Sequence, residues 1–403
     1  MQKIMQINIT CGRGSTGKLA QALYEASLQQ GYEADFAYSA YTPTLPNAFP
    51  VETKWQNYLR RALNRYIGRK QCHSTPGTKR LIRYIKKEKP DLIHLHNVQQ
   101  NSVNYRKLFA YLKESGIPVV YTLHDCWAFT GGCFYFTEKN CHGYKSGCQM
   151  CALQRRLDDI NRTAEYAYRE KSKLVGANDH IHPVCVSNWL RDVALESYMG
   201  NMKNPPQTIY NGINTELFSP KESCIRQKLG IPQDRFVVLG VAAYWSEDRK
   251  GLPLLLNLRQ KLPQDAVLVL VGGDLDSVKG KYENLVCIER TENQEQLAQL
   301  YSTADVFVNS SPEETFGLTT AEALACGTPA VVLDSTACPE VVDENTGIVI
   351  QKNIDDLVNA IQTVRQRGKA FYSPHCVDRV TAHFSESRMT QDYLALYRRI
   401  LNG

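Results

Sequence analysis

Residues 309 to 330 read NSSPEETFGLTTAEALACGTPA. Small or apolar side chains occupy almost every position from Leu318 to Cys326, so we predict a buried helix that ends at Gly327. Glu322 lies in the middle of this helix, and no basic residue occurs within one helical turn of it. Because a carboxylate in apolar surroundings needs a partner, we expect Glu322 to bind a ligand.

The loop at 311–317 connects this helix to a strand predicted at 305–310. The first N–H groups of a helix lack partners within the helix and attract negative charge, so the start of this helix is a candidate anion site. Glu314 lies in the loop, and seven residues separate it from Glu322. This spacing places one carboxylate at the mouth of the anion site and the other two turns into the helix.

Phe-Gly-Leu comes shortly after Glu314, and Ala-Leu-Ala-Cys-Gly-Thr-Pro follows Glu322. This pattern closely resembles the signature of the family-4 retaining glycosyltransferases, which have the GT-B fold. The resemblance implies that Glu314 approaches the donor sugar and that Glu322 binds the nucleotide ribose. It also implies that the backbone amides of Phe316, Gly317 and Leu318 bind the donor diphosphate. The alternative is an amphipathic helix with a solvated glutamate.

The chain has 403 residues, which suits two domains better than a single core. Strand-like and helical segments alternate, which predicts α/β architecture with parallel sheets, and the pattern restarts after residue 205. We predict strands at 3–10, 33–38, 91–95, 118–123 and 181–187, and then at 235–242, 266–272, 285–289, 305–310 and 329–333. The expected domains are 1–205, on the acceptor side, and 206–385, which binds the nucleotide sugar. Both are expected to be Rossmann-like, doubly wound domains that face a cleft, and the resemblance implies that a terminal helix at 386–403 packs on the first domain.

The loop Gly12-Arg13-Gly14-Ser15-Thr16-Gly17 follows the first predicted strand and fits the GxGxxG pattern, with Asp35 about 20 residues further on. Taken alone, this pattern favours an NAD-type oxidoreductase. A P-loop NTPase is disfavoured, because Leu19 occupies the position of the magnesium-binding hydroxyl. In a GT-B protein the same loop, including Gly14, would face the donor phosphates and the acceptor.

Three histidines lie at the ends of neighbouring predicted strands. His94 and His96 belong to PDLIHLHN at 90–97, and His124 ends the next strand. Clefts in parallel sheets open at the carboxyl ends of the strands. The resemblance implies that His124 touches the donor sugar, so we prefer it as the functional histidine; a purely structural role is the alternative for each of the three.

Residues 209–220, IYNGINTELFSP, closely resemble the interdomain segment of the same glycosyltransferases and would place Asn211 beside the nucleotide. The loop at 242–251 resembles the segment that supplies an Arg and a Lys to the diphosphate, and Lys250 matches the Lys. The family's Arg usually lies five residues earlier, where this chain has Trp245, so Arg249 is the candidate replacement. Arg290 is expected near the base.

Five of the thirteen cysteines cluster in an insertion near 126–151, and the last four of them are spaced by seven, six and two residues. Thiolates are soft ligands, and a loop-rich segment with little core of its own gains stability from a metal, so we predict a structural zinc site. Unliganded thiols or a redox pair are the alternatives. The predicted ligands are Cys133, Cys141, Cys148 and Cys151, with Cys126 and His142 in reserve.

Residues 53–87 contain eleven Lys or Arg and no Asp or Glu. Within 53–70, aromatic residues such as Trp55 and Tyr58 alternate with these cations, which is typical of a helix that lies on an anionic membrane. A core-packed helix with a solvated basic face is the alternative; single-stranded nucleic acid has no other support in the chain. No segment resembles a signal peptide or a membrane span, so we expect a cytoplasmic protein, peripheral at the inner face of the cell membrane.

These features predict a hexosyltransferase that moves a sugar from a UDP- or GDP-sugar to a saccharide acceptor, lipid-linked, in cell-surface polysaccharide biosynthesis. The resemblance implies retention of configuration and no catalytic metal, so Asp274-Leu275-Asp276 is interpreted as a solvated loop rather than a metal site. The alternatives are the oxidoreductase and a non-catalytic sugar-nucleotide-binding protein.

Overall fold

The structure is a computed structural model that describes residues 1–40, 45, 48–53, 55–59, 74–99, 103–149, 151 and 164–403. The chain forms two compact units. The first consists of Met1–Ile209 together with Thr390–Gly403, and the second consists of Tyr210–Met389. The sequence analysis placed the corresponding boundaries after residues 205 and 385.

The first unit contains a seven-stranded parallel sheet in the order β3-β2-β1-β4-β5-β6-β7. Its strands are β1 (Lys3–Asn8), β2 (Glu33–Tyr38), β3 (Phe49–Pro50), β4 (Leu92–Leu95), β5 (Val119–Leu123), β6 (Ile181–Cys185) and β7 (Gln207–Thr208). All residues of β4 and β5 are buried, as expected for central strands with helices on both faces. Because β4 and β5 are neighbours, the residues that follow them meet at one edge of the sheet.

Three helices of this unit begin at polar caps. Ser74, Asn104 and Ser187 each accept a hydrogen bond from a backbone N–H in the first helical turn. The helices are α1 (Gly14–Gln29), α2 (Thr75–Glu88), α3 (Tyr105–Ser115), α4 (Gly143–Ser146), α5 (Ala164–Lys171) and α6 (Asn188–Leu195). Short 3-10 helices occur at Cys126–Phe129, Thr137–Lys139 and Tyr198–Asn201, and a π-helical turn occurs at Ser172–Gly176.

The second unit contains a six-stranded parallel sheet in the order β10-β9-β8-β11-β12-β13. Its strands are β8 (Phe236–Tyr244), β9 (Ala266–Gly273), β10 (Leu285–Ile288), β11 (Val306–Asn309), β12 (Ala330–Leu333) and β13 (Gly347–Ile350). Its helices are α7 (Ile225–Lys228), α8 (Leu252–Lys261), α9 (Gln294–Thr303), α10 (Leu318–Ala325), α11 (Cys338–Val341), α12 (Ile354–Arg367) and α13 (Lys369–Arg379). A 3-10 turn at Asp248–Lys250 and a π-helical turn at Val380–Phe384 complete the unit.

The last helix, α14 (Glu386–Asn402), starts in the second unit and ends in the first. Its apolar stripe, which the sequence showed at helical spacing, buries Tyr393 and Tyr397. The hydroxyl groups of these two tyrosines form hydrogen bonds with Thr122 on β5 and Gln6 on β1, respectively. The predicted packing of the terminal helix on the first sheet is therefore present.

Three strands are absent from the sequence analysis. β3 and β7 have two residues each, which is too short for any periodicity, and β13 is an edge strand with the exposed Val349. Helix α5 continues directly into the π-helical turn at Ser172–Gly176. Most of the basic segment at 53–70 lies outside the described residues. None of the described helices is both long and apolar enough to cross a bilayer.

Candidate active site

In the second unit, the loops that follow β8 and β11 are bound directly to each other. The Ser310 hydroxyl donates a hydrogen bond to the Lys250 carbonyl at 2.7 Å, and the Ser311 hydroxyl donates one to the Arg249 carbonyl at 2.8 Å. Gly251 has φ of +70°, and a Cβ there would lie 2.2 Å from the Ser310 carbonyl oxygen. Only glycine permits this approach, so the two loops form one fixed surface at the carboxyl edge of the sheet.

This surface holds Lys250 against Glu314. The Lys250 ammonium lies 2.6 Å from a Glu314 carboxylate oxygen, and each side chain is 16% exposed. The Glu314 backbone N–H donates to the Thr336 hydroxyl at 3.0 Å, which fixes the loop on its other side. An ammonium group has three N–H donors, so Lys250 can bind Glu314 and an incoming anion together.

Arg249 pairs with Glu247, and Trp245 belongs to the core. The Arg249 guanidinium lies 2.6 Å from the Glu247 carboxylate. Trp245 is buried, and its indole N–H donates to the Val271 carbonyl at 3.1 Å. The position at which the resemblance expects an arginine therefore belongs to the core, and Lys250 is the cation that the structure places beside Glu314.

The start of α10 presents backbone rather than side chains. Gly317 precedes the helix with φ of +95°. The ring of Phe316 is buried, with its centroid 5.5 Å from that of Phe384 and 6.1 Å from that of Tyr210, so Phe316 could contact a ligand only through its backbone. Leu318 begins the helix, whose first N–H groups precede the first intrahelical hydrogen bonds.

Glu322 has a protein partner that the sequence analysis did not identify. The hydroxyl of Tyr301 on α9 donates a hydrogen bond to Glu322 Oε2 at 3.0 Å. Tyr301 is fully buried. Its burial, and to a smaller extent the negative charge of Glu322, raises the pKa of the Tyr301 hydroxyl, so this hydroxyl stays protonated and donates. The sequence analysis considered only basic residues within one turn of the same helix, so it did not find this partner; that Glu322 also binds a ligand stays a prediction.

Asn211 and Arg290 lie elsewhere in the second unit. Asn211 is buried and lies two residues before Ile213. The Ile213 N–H donates to the Phe384 carbonyl at 2.7 Å, and the Glu386 N–H donates to the Ile213 carbonyl at 2.8 Å. The two segments that lead to the first unit thus run side by side. Arg290 is exposed just beyond β10, which lies two strands from β8 in the sheet. Their roles toward a nucleotide stay predictions.

In the first unit, the glycine loop is closed by its own backbone. The Gly12 N–H donates to the Gly17 carbonyl at 3.0 Å, and both Gly12 and Gly14 have positive φ. Asp35, the acidic residue of the dinucleotide pattern, is the third residue of β2 and lies 3.6 Å from Lys3, which begins β1. A ribose-binding acid would instead lie near the carboxyl end of β2, beside the loop. The NAD pattern is therefore incomplete.

The three histidines meet at the carboxyl edge of the first sheet. His96 Nδ1 lies 3.2 Å from His124 Nε2, and His96 Nε2 lies 3.0 Å from Gln6 Oε1. Gln6 Nε2 in turn donates to the Tyr397 hydroxyl at 3.2 Å. The Tyr397 hydroxyl also contacts His94 Nδ1, and His94 Nε2 lies 2.7 Å from the Thr122 hydroxyl. The sequence analysis missed Gln6, although a polar side chain within the apolar strand KIMQIN was a signal for it.

Burial determines the charge of these groups. It lowers the pKa of His124 to about 4 and holds the pKa values of His94 and His96 well below the usual range, so all three imidazoles are neutral near pH 7. Burial also raises the pKa of Asp125 to about 6, although the Gln99 amide and the Trp127 N–H both donate to its carboxylate. The sheet edge near His124 is thus polar, but its three histidines carry no charge near pH 7.

The four clustered cysteines line a single cavity of about 210 Å³, together with His142. The Gly131 N–H donates to Cys148 Sγ at 3.1 Å. The reserve ligand Cys126 is fully buried. Within the described part of the chain, no three His, Cys, Asp or Glu side chains are already grouped so that they could hold a metal ion. The cysteines share a site, and whether it binds metal stays a prediction.

Comparison with known proteins agrees with this geometry. Residues 16–217 match the family described as Glycosyltransferase Family 4, and residues 235–367 match Glycosyl transferases group 1. The colanic acid biosynthesis glycosyl transferase WcaC of Escherichia coli K12 is 21% identical over 98% of this chain and 100% of its own length. The alpha-monoglucosyldiacylglycerol synthase of Acholeplasma laidlawii is 27% identical over 72% of this chain and 70% of its own.

Solved structures show the same fold. Sucrose-phosphate synthase from Thermosynechococcus elongatus superposes with a TM-score of 0.69 at 19% identity and 100% coverage of both chains. Anabaena HepE, solved in complex with UDP-glucose, gives a TM-score of 0.65 at 16% identity, covering 99% of this chain and all of its own. The predicted GT-B fold class is confirmed, and the chain belongs to glycosyltransferase family 4.

Proposed function

We propose that this glycosyltransferase takes its sugar from a UDP- or GDP-sugar and transfers it, with retention of configuration, to a saccharide acceptor. The observation that carries the proposal is the pair of interlocked loops that holds Lys250 beside Glu314, with the start of α10 following in the same loop. A cation and a helix N-terminus are suited to a diphosphate. The printed ligand of HepE, UDP-glucose, is consistent with such a donor.

In the proposed reaction, the bond between the sugar C1 and the diphosphate oxygen breaks, and a bond from C1 to the acceptor oxygen forms on the same face. The acceptor proton passes to the departing phosphate oxygen. The Lys250 ammonium and the first N–H groups of α10 stabilise the negative charge that grows on the leaving group. In this scheme no metal ion is needed for that purpose.

The remaining residues position the donor. The Glu322 carboxylate would accept hydrogen bonds from the ribose hydroxyls, and Glu314 would approach the sugar. His124 is a further residue that we propose contacts the sugar. Arg249, already paired with Glu247, would contribute less to the diphosphate than Lys250.

We further propose that the acceptor is lipid-linked and that the first unit lies on an anionic inner membrane leaflet. Helix α2 presents exposed cations, and residues 55–59 present the exposed rings of Trp55 and Tyr58 in edge-to-face contact. Aromatic side chains beside cations favour such a surface. The exposed cations of α2 are Lys79, Arg83, Lys86 and Lys87. The colanic acid and glycolipid enzymes among the relatives support a role in cell-surface polysaccharide synthesis.

Zinc at the cysteine cavity is proposed as a structural cofactor. Besides the four thiols, the fully buried Lys171 supports the proposal. Its amine group donates to the Trp127 carbonyl and lies 4.1 Å from the Trp127 ring centroid. Burial lowers the pKa of Lys171 to about 7, and negative charge on Cys148, Cys133 or Asp125 raises it. A buried cation is stabilised by nearby negative charge, which thiolate ligands would supply. Zinc binding would require the thiols to lie closer together than they do in this structure.

The experiment that tests the function measures donor hydrolysis and transfer with a panel of UDP-, GDP- and ADP-sugars, in the presence and absence of a chelator. We expect turnover with one nucleotide class and a product with the anomeric configuration of the donor, read by NMR. Tight nucleotide binding without turnover of any donor would instead indicate a sugar-nucleotide-binding protein. Selective binding of a nicotinamide cofactor would indicate the oxidoreductase.

A further inference from the structure

A buried chain of hydrogen bonds connects the terminal helix to His124. It runs from Tyr397 on α14 through Gln6 on β1 and His96 after β4 to the imidazole of His124. Tyr397 and Gln6 are fully buried, and His96 is 1% exposed. Buried polar groups that contact one another in series constrain one another's hydrogen positions, because every donor must meet an acceptor.

The direction of donation follows from Gln6. Its amide nitrogen donates to the Tyr397 hydroxyl, so its carbonyl oxygen faces His96 Nε2 and must accept from it. His96 therefore carries its proton on Nε2. Because His96 is neutral, its Nδ1 is an acceptor, and the hydrogen bond to His124 must be donated by His124 Nε2.

The other branch of the network is consistent with this direction. The Tyr397 hydroxyl accepts from Gln6 and donates to His94 Nδ1, so His94 carries its proton on Nε2 and donates to the Thr122 hydroxyl. Thr122 can then donate to the Tyr393 hydroxyl at 2.7 Å. Rotation of the Gln6 amide by half a turn would reverse every donor and acceptor in the chain, so the two orientations predict opposite tautomers of His124.

We propose that Gln6 and Tyr397 are positioning residues that hold His124 as its neutral Nε2–H tautomer, which makes His124 Nδ1 a hydrogen-bond acceptor. An acceptor nitrogen suits a sugar hydroxyl, which can donate to it. This consequence for catalysis rests on the proposed function, in which His124 contacts the donor sugar. The tautomer itself does not depend on that function.

The first measurement is the tautomer of His124 in the wild-type chain, read from long-range proton–nitrogen correlations of its ring and assigned with the variant His124→Asn. We expect protonated Nε2 and unprotonated Nδ1 at neutral pH. A His124 that carries its proton on Nδ1, or an even mixture of the two tautomers, would overturn the proposal whether or not the chain transfers sugar.

The second measurement compares Tyr397→Phe with Tyr393→Phe. Both tyrosines are buried on α14. The first change removes the hydroxyl that contacts Gln6, and the second removes the hydroxyl that contacts Thr122. Tyr397 contacts Gln6 directly, whereas Tyr393 is connected to Gln6 through Thr122, His94 and Tyr397. A purely structural role predicts similar losses of stability and of activity for both variants.

We expect Tyr397→Phe to mix the tautomers of His124 and to lower kcat about 10- to 100-fold, as misplaced catalytic groups do. Binding of UDP or GDP should be unchanged, because the proposed nucleotide site is on the second unit. Tyr393→Phe should keep the wild-type tautomer and a kcat within about 2-fold of wild type. Equal effects of the two changes on kcat and on the tautomer would refute the positioning role. If the wild type transfers no sugar, the proposed function fails, and the tautomer measurement still decides the inference.

Discussion

Replacing Glu322 by Gln should separate nucleotide binding from folding. In the folded chain one carboxylate oxygen of Glu322 accepts from the buried Tyr301 hydroxyl at 3.0 Å. A glutamine can keep this hydrogen bond through its carbonyl oxygen, while its amide nitrogen replaces the oxygen that would accept from the ribose. The substitution thus removes the charge and the second acceptor and preserves the contact with α9.

The expected loss is that of charge-assisted hydrogen bonds to the ribose, about 1 to 3 kcal/mol. This corresponds to a Kd for UDP or GDP about 5- to 150-fold higher than that of the wild type. Glu322→Ala should weaken binding by a similar amount, but it also leaves the buried Tyr301 hydroxyl without its acceptor. That change should lower the free energy of unfolding by about 1 to 3 kcal/mol, which Glu322→Gln avoids.

Titration calorimetry with UDP and GDP, paired with denaturant unfolding, measures both effects. Glu344→Gln is a matched control, because Glu344 is an exposed glutamate of the same unit. We expect it to change neither quantity. A folded Glu322→Gln variant that binds the nucleotide as tightly as the wild type would refute the ribose role.

Other changes test the remaining features. Lys250→Ala should lower kcat about 100- to 1000-fold with a smaller change in KM, because Lys250 acts on charge that grows in the transition state; a change confined to KM would contradict this. The free energy of unfolding should fall as pH decreases from about 6.5 towards 4, by up to about 1.4 kcal/mol per pH unit for each of the three neutral histidines, because the unfolded chain binds more protons there. Asp125, with its pKa raised to about 6, binds a proton in the folded chain first, and this should cancel the loss of stability from one histidine between about pH 4 and 6. Denaturant unfolding at several pH values measures the change, and a free energy of unfolding that does not fall would contradict the prediction. Elemental analysis should find one zinc per chain, lost in Cys148→Ser and kept in the exposed-site control Cys224→Ser, whereas a folded chain free of zinc and iron would exclude the metal. Changing the four exposed cations of α2 to Gln should weaken flotation with phosphatidylglycerol vesicles at low salt, by about 1 kcal/mol for each charge, and equal flotation of variant and wild type would contradict membrane binding.

The sequence predicted those parts of the fold and site that depend on local pattern. Long apolar strands, helix caps and glycine turns are encoded within a few residues, so the two parallel sheets and the two loops that carry Lys250 and Glu314 could be placed in advance. The short strands β3 and β7 could not, because their pairing depends on neighbours that are distant in the chain.

Partners were less predictable than positions. Tyr301 precedes Glu322 by 21 residues, and Tyr397 follows Gln6 by 391. Nothing local distinguishes these tyrosines from ordinary core residues, since each belongs to an apolar stripe at helical spacing. Their hydroxyl groups acquire a role only when the fold brings a carboxylate or an amide to them.

Trp245 shows how one substitution can change the electrostatics of a site while the fold is kept. Its indole ring packs beneath the loop, close to Gly240 and Gly272, and donates to the Val271 carbonyl. An arginine in the place of this ring would bury a charge in the core, which costs free energy unless the charge is paired. In the proposed mechanism, the donor diphosphate then depends on Lys250 and on the N–H groups of α10, which makes Lys250 the residue whose loss should be hardest to compensate.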